Sequence, residues 1–461
     1  MAGGSSFHFL IVRYHLLLLL LLCPFALAKL VLEEYPEYVT RHAPLVWLHS
    51  QDPFRPSDIL GHIQRTTPSL DGKPISGLPS LDLDNLEVLN QYGDEVALAS
   101  NDNPLSRPAW MLGETPDHEG KLRSATASVV VLVENRFMDF DAFYFYFYSF
   151  DQGPNITQVV KPLNQLISAS KSDIDMHFGN HVGDWEHNMV RFREGRPVGV
   201  YYSQHRDGSA YDWDGPELSK VDERPVVYSA YGSHANYAKP GYLLSSLNGL
   251  NYYLLNIDSE HIHDIALIDF CDEGPKWDPI QSAYFYHLDT TSFTLTRLKP
   301  PNQTSPSSSS NFTSFFYYKG LWGDSKYPDS DPRQKVLPKF GFRRFVSGPN
   351  GPRFKDLMRH GLMPDRPRKK TWAEFGVKVF MGLYPVLFKD WRKWVSLVLV
   401  VIVCVGVGLA TRRLIRLTVA KYRKRQDYKK LQQENEVLLD DWRTDEEAQL
   451  FSDDEEQTER R

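Results

Sequence analysis

The sequence predicts a mainly β protein: a large β-sandwich-like domain with short helices, followed by one C-terminal transmembrane helix. Three observations carry this. From Ala142 to Phe150, Phe143, Phe145 and Phe147 alternate with Tyr144, Tyr146 and Tyr148, a period of two that places one set on each face of a strand. Aromatic residues make up 13% of the chain, mostly Tyr and Phe, which favours strands over helices. Near the C-terminus, Trp394 to Ala410 contains no charged residue; at ~1.5 Å per residue it reaches ~26 Å, enough for a thin bilayer.

Taken in order, the elements begin with a signal peptide over 1–28. Arg13 precedes an apolar run from Leu16 to Leu22, and Ala26-Leu27-Ala28 supplies a small-x-small cleavage site. Residues 29–370 form the β-rich domain, expected on the lumenal side. Besides the Phe/Tyr strand, Ala127–Val133, Val198–Ser203 and Pro225–Ala230 read as strands separated by turn residues. Long amphipathic helices are absent before residue 370. The Pro/Ser/Asn-rich stretch Pro300 to Ser314 reads as a surface loop. A juxtamembrane segment follows over 371–393, then the span over 394–411 and a cytosolic tail over 412–461.

Orientation follows from charge. Arg412, Arg413, Arg416, Lys421, Arg423, Lys424 and Arg425 lie beyond the apolar run, so the positive-inside rule makes the tail cytosolic. The acceptor sequons at Asn155, Asn302 and Asn311 all lie between the two apolar runs, as lumenal glycosylation sites would. In the tail, Glu434 with Leu438 and Leu439 has the form of an acidic dileucine sorting signal, implying a clathrin adaptor as partner. The net charge of −6 gives no sign of nucleic-acid binding. Of three cysteines, Cys23 and Cys404 sit in the apolar runs. Cys271 is left as a lone thiol, expected buried and inert.

One stretch is dense in metal-ligating groups: Asp173, Asp175, His177, His181, Asp184, Glu186 and His187. If Asp184-Trp185-Glu186 is extended, both carboxylates point one way and Trp185 the other. His181 is near enough for a turn to bring it to the same side, and Asp173 can join from the preceding loop. Three carboxylates and one imidazole make an oxygen-rich site suited to Mg²⁺, Ca²⁺ or Mn²⁺ rather than structural zinc. His205, Ser233 and His234 are candidates to support that set or to bind a ligand. An enzymatic alternative makes Asp184 or Glu186 a general base with His181 or His234 as its partner, but no complete nucleophile, base and oxyanion set is visible.

These residues sit within a wider resemblance. Ala43-Pro44-Leu45-Val46-Trp47-Leu48-His49-Ser50, Asp141-Ala142-Phe143-Tyr144 with Gln152-Gly153-Pro154, His181 to His187, and Tyr202-Ser203-Gln204-His205 are similar to the vacuolar protein sorting-associated protein 62 family, known mainly from fungi with plant relatives. Tyr231-Gly232-Ser233-His234-Ala235, Leu321-Trp322-Gly323-Asp324 and Ser347 to Arg353 continue it, so the matches span most of 40–360. The resemblance implies one large lumenal domain and a role in delivering proteins to the vacuole, with the vacuole membrane or the wider endomembrane system as its location. It supplies no biochemical activity. The run Asn180 to Glu186 also resembles the Gly-His-Arg-His-Asp-Trp-Glu motif of the necrosis- and ethylene-inducing proteins, β-sandwich sphingolipid-binding cytolysins. That likeness implies a metal held by Asp173, His181, Asp184 and Glu186. Asn180, Val182 and Gly183 replace the motif's Gly, Arg and second His, which speaks against toxin activity. The expected function is therefore vacuolar protein sorting through a cation-binding domain that recognises a glycan or lipid headgroup, with a metal-dependent lumenal hydrolase as the alternative.

Overall fold

A computed structural model describes residues 32–136, 139–155, 177–205, 207–244, 268–301, 310–337, 342–365 and 392–458. The signal peptide, Asp173, Asn302 and the juxtamembrane segment up to residue 391 lie outside these. The chain divides into two compact units, Met1–Phe375 and Gly376–Arg461.

The strands of the first unit that position the site are β1 (Leu45–Trp47), β2 (Ser128–Arg136), β3 (Asp139–Asp151), β4 (His181–Arg193), β5 (Arg196–Gln204), β6 (Asp207–Asp212), β7 (Arg224–Ser229), β8 (Asn236–Tyr237), β9 (Lys276–Trp277), β10 (Ala283–Asp289) and β11 (Thr294–Arg297). A seven-stranded sheet runs in the order β11-β10-β2-β3-β4-β5-β6. All its neighbours are antiparallel except β10 and β2. A second, smaller sheet pairs β7 with β1 in parallel, and adds β8 and β9 antiparallel. The three strands expected from sequence, Ala127–Val133, Val198–Ser203 and Pro225–Ala230, coincide with β2, β5 and β7 to within a residue at their overrunning ends.

The Phe/Tyr alternation separates two cores. Tyr144, Tyr146 and Tyr148 pack with Val130, Val190, Val200 and Tyr202 against Val46, Val227 and Trp277 of the second sheet, the interlayer of a sandwich. Phe143, Phe145 and Phe147 pack on the opposite face with Trp185, Met189, Leu86, Leu89, Phe315 and Trp322. The large sheet is thus buried on both faces, with short helical segments such as Ile59–Gln64, Leu86–Tyr92 and Ser314–Tyr317 covering the Phe side. Each fully buried aromatic stabilises the fold by roughly 2–3 kcal/mol. The tyrosines tolerate the dry interlayer where a hydroxyl finds a partner, as Tyr144 does in donating to the Val39 carbonyl at 2.7 Å.

At the other end of β3 and β4, Arg191 clamps Asp141 through two hydrogen bonds of 2.7 Å. The same guanidinium donates to the carbonyls of Arg359 and His360, fixing the last described segment of this unit to β4. Cys271 is free and buried, and burial pushes its thiol well above the usual range, which leaves it inert.

The second unit is a helix, Arg392–Thr458. The expected span from 394 to 411 lies within it. Among the described residues, however, no helix is long and apolar enough to cross a membrane; side chains at 396, 397, 399, 400 and 404 lie outside the described set. The backbone is helical through Glu434, Leu438 and Leu439, whose side chains also lie outside it.

Candidate functional site

The site sits where β3 and β4 reach the end of the interlayer. Asp184 and Glu186 face the Tyr side, directly across from Tyr148 and Tyr146, while Trp185 lies across from Phe147 and packs in the Phe core. The expected alternation of this triplet therefore holds. Strict alternation would send His181, an odd-numbered position, to the Phe side with Trp185. Gly183 breaks it: its φ of 72° lies in the left-handed region, and a Cβ there would meet the Trp322 carbonyl oxygen at 1.9 Å. The turn brings His181 round to Asp184, and the cross-strand partner of His181 is Asp151.

Asp151, His181 and Asp184 each offer one ligand atom, and these atoms lie within 4.8 Å of one another. His181 Nδ1 lies 2.7 Å from the Gly183 carbonyl, to which it must donate. That fixes the tautomer and leaves the Nε2 lone pair free, 3.7 Å from Asp151 Oδ2. Burial holds the His181 imidazole below its usual value despite the nearby Asp184 charge, so it is neutral, as a ligand must be. Among the described residues, Asp151 Oδ1 is buried without a hydrogen-bond partner.

A ring of acids surrounds this trio. Burial, then the charges of Asp184 and Glu186, push the Asp151 carboxyl well up. Burial and Asp184 push Glu186 up to about 8, although Ser203 donates to its Oε2. Burial also opposes ionisation of Asp184, but the hydrogen bond and charge of His234 outweigh it and hold the group below the usual carboxylate range. His234 Nδ1 is 3.0 Å from Asp184 Oδ2, and its Nε2 is 3.6 Å from Asp52 Oδ2. The imidazole is stacked flat on Tyr148 at 3.7 Å, on a backbone with φ of 54°. A non-glycine residue in that region costs ~1–3 kcal/mol and marks a position the surroundings over-determine.

A second hydrogen-bonded group adjoins the first. Asp269 accepts from Ser233 Oγ at 3.1 Å and from Tyr237 at 2.5 Å, and pairs with His205 Nε2 at 2.8 Å. The sequence neighbours Ser203–His205 and Ser233–His234 do not form a nucleophile–base pair: both serines donate to carboxylates. Asp269 orders these groups rather than activating a serine.

Of the four ligands expected from sequence, His181 and Asp184 converge, Glu186 stands beside them bonded to Ser203, and Asp173 lies outside the described residues. Sequence reasoning missed Asp151, Asp52 and Asp269. The signal for Asp151 was its place at the end of the Phe/Tyr strand, visible only once the register with β4 is known. Among the glycosylation candidates, Asn155 is half-buried and Asn311 exposed. The site can hold a hard divalent cation with two carboxylates and an imidazole, leaving further positions for a ligand's oxygens.

Comparison with known proteins bears on what such a site is for. A family model described as vacuolar protein sorting-associated protein 62 matches residues 137–270. The chain is similar to the putative vacuolar protein sorting-associated protein TDA6 of Saccharomyces cerevisiae, 31% identical over 373 residues, covering 74% of this chain and 70% of that one. It is similar to vacuolar protein sorting-associated protein 62 of the same organism, 31% identical over 367 residues, covering 73% and 68%. Among solved structures it resembles Necrosis and Ethylene inducing Protein 2 from the causal agent of cocoa's Witches Broom disease, with 16% identity, 47% of this chain and 74% of that one covered, and a TM-score of 0.21. That structural likeness is too slight to carry an argument.

Proposed function

Because the chain belongs to the vacuolar protein sorting-associated protein 62 family, we propose that it acts in vacuolar protein sorting through a lumenal β domain that binds a divalent cation with Asp151, His181 and Asp184. One observation carries the reading: three ligand atoms of the right chemistry, two from buried carboxylates and one from a partly buried imidazole, lie within 4.8 Å of one another. Buried like charges resist ionisation together, and a bound cation removes that conflict. Its open coordination positions take hydroxyl or phosphate oxygens of a glycan or lipid headgroup. The 394–411 stretch anchors the protein in the vacuolar or endomembrane bilayer, with the basic end of the tail against anionic lipid. Glu434, Leu438 and Leu439 engage a clathrin adaptor.

A thermal-shift titration of the full chain in detergent with Ca²⁺, Mg²⁺ or Mn²⁺ against chelator tests the reading. At 100 times Kd a ligand adds about 2.7 kcal/mol to the folded state. A midpoint that no cation moves overturns the cation site. A second reading, a metal-dependent hydrolase, is favoured by Glu186, a carboxyl pushed up to about 8 beside the trio, where it could exchange a proton with attacking water. Turnover of glycosidic, ester or phosphoester substrates that is lost in Glu186→Gln while cation binding persists would select it.

A further inference from the structure

We propose that a cleft lined by Asn155 seats the first sugars of a glycan that the chain itself carries on that residue; the inference rests on the lumenal reading above. The cleft has a volume of about 550 Å³ and is lined by His49, Asn155, His177, Tyr231, Phe270 and Asp272, among others. That volume is within the ~300–1,000 Å³ span of small-ligand sites. Its chemistry is mixed in the way a pyranose requires. Aromatic rings suit the sugar's C–H face, while imidazole and carboxylate groups suit its hydroxyls.

Asn155 is placed to feed this cleft. A β-bridge to His177 pins it to the wall, and the residue is half-buried. His177 is itself held by a 2.6 Å hydrogen bond to the Gly153 carbonyl. Because Asn155 lines the cleft, the first residues of a glycan linked there start at its wall. Tyr231, which also lines the cleft, begins the Tyr231–His234 loop, tied to this segment by the hydrogen bond from Gln152 N to the Gly232 carbonyl. Tyr231 faces the cleft, while Ser233 and His234 face the acid groups. The glycan would thus start four residues along the chain from Asp151. Asn311, in the same chain, is exposed and gives an internal standard.

The experiment expresses the full chain in a secretory host and follows each glycopeptide by mass spectrometry during digestion with an endoglycosidase that cuts within the glycan core. We expect Asn155 to be occupied, and its glycan to be released at least tenfold more slowly than that of Asn311 under native conditions and equally fast after denaturation. Equal native rates would overturn the inference. Glycan on Asn311 but none on Asn155 would overturn it while leaving the lumenal reading intact. Sugar absent from all three sequons would overturn both.

Discussion

Replacing Asp151 with Asn should push the stability of the protein in opposite directions with and without a divalent cation. Two carboxylate oxygens up to 4.8 Å apart repel by about 3.5 kcal/mol at an effective dielectric of ~20. At neutral pH the protein partly escapes this repulsion by keeping a proton, since burial and the Asp184 and Glu186 charges raise the Asp151 carboxyl. The realised gain on neutralising residue 151 is then only part of that repulsion, on the order of 1–2 kcal/mol. With chelator present, the midpoint of Asp151→Asn should rise by about 2–4 °C for a domain of this size. With cation at 100 times Kd, wild type gains about 2.7 kcal/mol and the variant gains none, so the order reverses. Differential scanning fluorimetry at pH 7 with and without chelator reads both arms. A variant less stable than wild type by the same amount in both conditions would refute the reasoning, because that is what loss of an ordinary buried hydrogen-bonding group produces.

Other expectations follow the same logic. Glu186→Gln in chelator should be more stable than wild type at pH 8 and equal to it near pH 4: the folded carboxyl is pushed up to about 8, so wild type loses stability as pH rises through that window, and denaturant melts at the two pH values check it. His62 is the reverse case. It is buried, and burial lowers its imidazole to about 4, with Ser149 Oγ and the Trp322 carbonyl occupying its two nitrogens. The unfolded chain takes up a proton below pH ~6.5 that the folded one refuses, so this group's contribution is full above pH 6.5 and about 3 kcal/mol is lost by pH 4; His62→Gln should flatten the acid limb of a pH–stability curve. Gly183→Ala should both destabilise the domain by several kcal/mol, given a 1.9 Å approach to the Trp322 carbonyl oxygen, and abolish any cation-induced shift, because His181 loses its turn. Leu438→Ala with Leu439→Ala should move a tagged protein away from its wild-type compartment in fluorescence imaging, and an unchanged distribution would remove the adaptor signal.

What the sequence disclosed follows local periodicity. The Phe/Tyr alternation announced β3 and its two faces, and Asp184-Trp185-Glu186 announced two carboxylates sharing a side, because side-chain direction in a strand depends only on parity. Burial of both faces was less legible: a Tyr set reads as half-solvated, whereas Tyr144, Tyr146 and Tyr148 are all fully buried in the interlayer. Asp151 could not be found by spacing, since its link to His181 is set by the β3–β4 register. Asp52 is remoter still, lying 3.6 Å from His234 across 182 positions. Proximity in sequence did not decide the partners at Ser203–His205 and Ser233–His234, where the serines turn to Glu186 and Asp269 because a buried carboxylate is the stronger acceptor.

Anomalous diffraction from crystals soaked in Mn²⁺ tests the central claim most directly. The account predicts a single strong peak within ~2.0–2.6 Å of Asp151, Asp184 and His181 Nε2. Full occupancy of Mn²⁺ elsewhere in the domain, with the space between those three side chains holding only water, would contradict it.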